Sequence, residues 1–168
     1  MRTVPLTGVL TLCVASQLLA AEALPEKLDP LTKYVKAFKK TYKKKAKICG
    51  LHTYSDANRF RSDGTKAMIK ALGCSEYWVT ESGGMYDFAS FWSPSNRKKY
   101  KCKNADACQL KAMKYLFKLV KSQKKIKRLY IRSFYGSHSP RFDAGIVLGG
   151  PGQATTPRPA YKEVKKYT

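Results

Sequence analysis

The 168-residue chain carries 33 Lys and Arg against 11 Asp and Glu, a formal net charge of +22, together with 43% hydrophobic and 12% aromatic residues. That apolar content excludes a disordered polyelectrolyte, which lacks the means to bury a core, and the length fits one domain. Of the cations, 25 are lysines and 8 are arginines. Most of the excess is therefore solvated point charge rather than the planar forks that grip phosphates, and basicity alone does not single out nucleic acid.

Residues 1–23 read as a secretory signal: Arg2, an apolar run from Val4 to Ala20, and Ala21-Glu22-Ala23 as a small-residue cleavage site. On this reading the protein is secreted and its working domain spans 24–168. The same stretch admits a second reading, with Val9 to Ser16 as a buried parallel strand, since Pro5, Gly8 and Gln17 interrupt the run. No other segment is long and apolar enough to span a bilayer. Beyond Cys13 the chain holds Cys49, Cys74, Cys102 and Cys108. In an exported protein these suggest two disulfides, with three connectivities open and Cys102 with Cys108 the easiest local pair. There is no CxxC, and His52 and His138 lie far from that pair, so no metal site is expected.

In chain order, Asp29-Pro30 followed by Leu31, Tyr34, Val35, Phe38 and Tyr42 predicts a helix with a first-turn proline and lysines on its outer face. Ala46 to Tyr54 predicts a strand ending in a polar loop. Met68, Ile69 and Leu72 share a face of a second helix, closed by Gly73. Tyr77 to Glu81 is a second strand, cut off by Ser82-Gly83-Gly84, and a long aromatic loop runs from Met85 to Asn104. Asp106 can cap a helix bearing Leu110, Met113, Leu116, Phe117 and Val120 at helical spacing. Arg128 to Phe134 is a third strand, 149–157 a Gly/Pro/Thr connector, and Pro159 opens a short final helix. This alternation predicts an α/β fold of parallel βα units.

In such folds working residues gather at the carboxyl ends of the strands. Those ends supply His52 and Tyr54, then Glu81, then Phe134 and Tyr135. Carboxylate, imidazole, phenol and rings on one rim suit carbohydrate chemistry, in which rings stack on sugar faces and a carboxylate attacks an oxocarbenium-like centre. The plainer alternatives are a Glu81 that faces water, a His52 satisfied at a strand end, and Phe91 and Trp92 as core beneath the loop rather than a stacking platform. No G-x-S-x-G elbow, Walker loop or H-E-x-x-H is present, and no cofactor is expected.

Gly50-Leu51-His52-Thr53-Tyr54-Ser55-Asp56-Ala57-Asn58-Arg59-Phe60, Trp78-Val79-Thr80-Glu81-Ser82-Gly83-Gly84, Lys127-Arg128-Leu129-Tyr130-Ile131, Phe142-Asp143-Ala144-Gly145-Ile146-Val147 and Arg158-Pro159-Ala160-Tyr161 follow one another in this order. Together they resemble the carboxyl-terminal half of TIM-barrel glycoside hydrolases of the large retaining clan, over about residues 30–168. The resemblance implies strands corresponding to about the fifth through eighth of a (β/α)8 barrel, the fifth only if Val9 to Ser16 is that strand. It implies a carbohydrate substrate, Glu81 as nucleophile, Tyr54 hydrogen-bonded to it, and His52, Trp92, Phe134 and Tyr135 as substrate-binding residues. Phe134 takes the place of a Trp that usually floors the sugar site. The family's general acid comes from a fourth strand, which has no counterpart here, and Asp56, Asp87 and Asp143 are the rim-loop candidates for a substitute.

Two further expectations follow. The lysine-rich stretches Lys33 to Lys47 and Lys118 to Arg128, interleaved with Tyr and Phe, suit an alternative function, a secreted cationic module that weakly binds polyanions: acidic polysaccharide, nucleic acid or anionic surfaces. Half a barrel leaves open edges, with Leu51, Val79 and Ile131 facing water unless an oligomer or a partner half closes the sheet.

Overall fold

The structure is a computed structural model that describes residues 24–42, 46–88, 91–137, 139, 141–150 and 152–168. The expected leader, with Val9 to Ser16 and Cys13, lies outside these residues, as does His138. Three parallel strands, β1 (Ile48–His52), β2 (Glu76–Ser82) and β3 (Ile126–Ile131), form one sheet in the order β1-β2-β3. Each neighbouring pair is joined through helices, as parallel pairing demands: α2 (Tyr54–Arg59) and α3 (Asp63–Leu72) between the first two strands, α4 (Pro94–Lys99) and α5 (Ala105–Ser122) between the next. Helix α1 (Leu24–Thr41) precedes the sheet. A two-stranded antiparallel ladder of β4 (Val147–Leu148) and β5 (Thr156–Pro157) and then α6 (Pro159–Val164) follow it. The chain is α/β, built of parallel βα units.

Several boundaries differ from expectation for local reasons. Helix α1 starts at Leu24, so Pro25 is its first-turn proline and Asp29-Pro30 falls inside it. Tyr34, placed on the apolar stripe by spacing, is 54% exposed, whereas Val35 is fully buried. The aromatic loop contains α4, which has a cap signal of its own: Ser93 accepts from the Asn96 amide and Pro94 follows it. The cap of α5 is Asn104, which accepts from Ala107 N at 2.9 Å; Asp106 sits in the first turn, where its charge suits the helix dipole. Strand β3 stops at Ile131 instead of Phe134, and the end of the Gly/Pro connector forms β5, paired with β4 just before the connector.

The helices cover one face of the sheet. Leu51, Val79 and Ile126 pack there with Val35, Met68, Leu72 and Tyr77, and Leu129 borders this cluster. A second cluster joins Met113 and Leu116 of α5 to Ile146 and Ala160, with Ile131 packed against it. Leu51 and Val79 are thus buried and do not meet water as the half-barrel argument expected. Each such side chain contributes about 1.5–3 kcal/mol by burial. The other face carries Trp78, Arg128 and Tyr130, because side chains two apart along a strand share a side. Arg128 Cζ lies 5.0 Å from the Trp78 ring centre, the Trp78 and Tyr130 rings are 6.4 Å apart, and Trp78 Nε1 donates to Glu76 Oε1 at 2.5 Å. Parallel sheets are normally covered on both faces. Here the face that no described helix covers is aromatic and charged.

Disulfides pair Cys49 with Cys74 and Cys102 with Cys108. The first ties β1 to the link between α3 and β2; beside it the buried Tyr77 hydroxyl donates to Ile69 O and accepts from Cys74 N, both at 2.8 Å. No described helix is long and apolar enough to cross a membrane.

Candidate functional site

At the carboxyl end of the sheet, β1 ends at His52, the register partner of Glu81 on β2. Tyr54 is no longer strand: it opens α2, which brings its phenol back over the neighbouring strand end. Its hydroxyl lies 3.2 Å from Glu81 Oε1, the contact that the resemblance implies. Burial, then the charge and hydrogen bond of Glu81, raise the Tyr54 pKa well above the ordinary tyrosine value, so the phenol stays protonated and donates.

Arg132 is a second donor that the sequence reading missed. It follows β3, where its backbone N–H bonds to Ser82 O at 2.9 Å, and its Nη1 reaches the same Glu81 Oε1 at 2.9 Å. Its side chain is 57% exposed and that of Glu81 26%. Both donors use Oε1, and Oε2 takes no hydrogen bond from the described residues. Phe142 closes the cluster: its ring packs edge-on to Tyr54 at 5.3 Å and to Phe88 at 5.9 Å, and Arg132 Cζ lies 5.9 Å from its centre. The aromatic-rich sequence offered many rings, and only contact with a strand end separates this one from the rest.

The support beneath the rim is polar and buried. Asn58, fully buried on α2, donates Nδ2 to Tyr54 O and to Gly83 O, both at 2.9 Å, and accepts from Met85 N at 2.8 Å. Thr53 Oγ1 bonds to Ser82 Oγ at 2.9 Å. These bonds lock the start of α2 to the exit of β2 and so fix Tyr54 against Glu81. The glycines after Glu81 serve the same join. A Cβ on Gly83 would lie 2.6 Å from the Arg132 carbonyl oxygen, and one on Gly84 would collide with that of Gln109. They admit neighbouring backbone.

The remaining candidates are not gathered there. Trp92 is 6% exposed and donates Nε1 to Met85 O at 2.6 Å, packed against Phe91 and Tyr100, so it presents no platform to solvent. Phe134 is 51% exposed and packs edge-on against Tyr135 and Tyr161. Tyr135 lies beside the α5–α6 core. Two substitute acids are committed elsewhere: Asp56 accepts from Thr65 N at 2.6 Å and pairs with Arg61, and Asp143 is buried against Arg158. Asp87 meets Asp143 only through backbone bonds. Among the described residues no three His, Cys, Asp or Glu side chains are grouped to hold a metal ion. The lysines at 118, 121, 124, 125 and 127 are exposed, as a solvated face would be.

No protein family and no curated protein matches the chain. Among solved structures it is similar to a GH2 beta-galacturonidase from Eisenbergiella tayi, seen bound to glycerol and to galacturonate. The TM-score is 0.49 and the identity 17% in each case, over 72% of this chain. The match spans 23% of the length of that enzyme.

Proposed function

We propose that the chain is a glycoside hydrolase-like domain acting on carbohydrate, corresponding to the carboxyl-terminal half of a (β/α)8 barrel, with Glu81 as nucleophile. The observation that supports this is the Glu81 carboxylate at a strand end, steadied at Oε1 by a protonated Tyr54 and by Arg132, with Oε2 unbonded among the described residues. Glu81 Oε2 bonds to the anomeric carbon while the glycosidic C–O bond breaks, and its electron pair leaves with the departing oxygen. Retaining chemistry places a second carboxyl group about 5 Å away to protonate that oxygen. Asp56 and Asp143 are tied up by other partners, so of the three rim-loop acids Asp87, whose bonds are through its backbone, is the one left to serve. His52, beside Glu81 in the sheet register, is assigned to the sugar site; Phe142 replaces Trp92 and Phe134 as its aromatic wall.

An activated substrate bypasses the acid. Dinitrophenolate leaves without protonation, and fluorine beside the anomeric carbon slows hydrolysis of the glycosyl-enzyme. Incubation with a panel of dinitrophenyl fluoroglycosides, followed by peptide mass spectrometry, is expected to find one glycosyl group on Glu81 and none in Glu81→Gln. A folded protein that no member of the panel labels at Glu81 would overturn the reading.

A further inference from the structure

Arg132 has more to offer than it spends on Glu81. A guanidinium carries five N–H donors in a planar fork; here Nη1 alone is engaged, and no other acceptor among the described residues takes a bond from this side chain. The side chain is more than half exposed, beside Phe142 and above the carboxyl end of the sheet. Among the described residues Glu81 is the one carboxylate that pairs with it. Asp56 belongs to Arg61 and the Thr65 amide, and Asp143 to Arg158.

From this geometry we infer that Arg132 is a specificity residue for an anionic sugar: its unused edge binds a carboxylate or sulfate on the substrate while Nη1 holds the nucleophile. The inference rests on the reading of Glu81 as the nucleophile and adds the substrate class to it. A fork that bridges Glu81 and a substrate anion fixes the sugar ring relative to the attacking oxygen, because planar, paired N–H bonds constrain orientation as well as distance. The chain's net charge of +22 draws anionic substrates toward the rim over a longer range. Neutral sugars would leave the fork to water and gain neither effect.

The test compares labelling rates at Glu81 for three activated aryl fluoroglycosides of one ring configuration, a uronide, a 6-sulfated hexoside and the neutral hexoside, in both gluco and galacto series. The expected result is labelling at least about tenfold faster with an anionic probe than with the neutral one, the size of a charge-assisted hydrogen bond. Which anionic probe leads separates carboxylate from sulfate. Arg132→Gln is expected to bring the ratio near one, and Arg132→Lys to restore part of it. Equal labelling by all probes in the native protein overturns the inference and leaves the nucleophile standing. So does an Arg132→Gln variant that slows every probe alike, since that marks Arg132 as a support for Glu81 only. Labelling of Glu81 by no probe fells the underlying reading, and this inference with it.

Discussion

Arg158 grips both oxygens of Asp143, Nη1 to Oδ1 at 3.1 Å and Nη2 to Oδ2 at 2.8 Å, and each side chain is almost wholly buried. Arg158 also donates to Gly145 O at 2.7 Å and lies 3.7 Å above the Tyr86 ring. The pair therefore fastens three stretches of chain: the segment after β2, the approach to β4 and the start of α6. Removing one partner strands the other as a buried charge. Arg158→Met is expected to cost about 3–5 kcal/mol in chemical denaturation.

The same pair sets a pH dependence. Burial raises the Asp143 pKa, but the Arg158 hydrogen bonds, the Gly145 amide and the Arg158 charge outweigh it and leave the group below its ordinary value. A depressed folded-state pKa contributes stability that is present above the unfolded value, about 4, and is lost as pH falls through the folded value. Stability is thus expected to drop below about pH 4. In Asp143→Asn, measured by urea titration from neutral pH downward, this part of the drop should vanish.

Asn58 joins α2 to the exit of β2 through three bonds, none of which Ala can make. Asn58→Ala leaves the Met85 amide and the Gly83 carbonyl buried without that partner, and is expected to cost about 2–4 kcal/mol, from penalties of about 1–3 kcal/mol per orphaned group. Hydrogen exchange at the Met85 amide should accelerate beyond the global loss, because the opening is local.

The disulfides close chain segments of very different length, 25 residues for Cys49–Cys74 and 6 for Cys102–Cys108. Loop-closure entropy then gives about 3.5 kcal/mol for the first and about 2 kcal/mol for the second. Paired Cys→Ala replacements compared by thermal unfolding should fall in that order.

Tyr54→Phe removes a hydroxyl and keeps the ring against Phe142. Unfolding free energy is expected to change by less than about 1.5 kcal/mol, since one part-buried hydrogen bond is lost. Labelling of Glu81 by an activated glycoside should slow roughly tenfold, because the carboxylate loses a donor that orients it. A large stability loss with unchanged labelling would make Tyr54 a packing residue.

The sequence made the sheet legible because β1, β2 and β3 are apolar runs between helices of clear period, and burial selects both patterns. Glu81 and Tyr54 were legible because strand ends are where such folds expose function. The short elements were not. Six residues of α2 make under two turns, too few for periodicity to show, so Asn58 looked like loop. Phe142 and Arg132 were invisible for another reason: their partners Tyr54 and Glu81 lie 88 and 51 residues away in sequence, and only folding creates those contacts. Trp92 is sealed in its loop rather than offered as a platform, because an aromatic residue in a loop packs on its own loop as readily as on a ligand.

The face of the sheet that the helices leave bare has an optical consequence. The chain has two tryptophans, and they fall on opposite sides of the fold's accounting: Trp92 sealed beneath its loop, Trp78 on the bare face with Arg128 above it. Their emission is separable. Acrylamide should quench Trp78 first and leave a blue-shifted Trp92 component, and Trp78→Phe and Trp92→Phe would assign the two signals. The molecule carries its own pair of reporters, one for contact with the sheet and one for the integrity of the core.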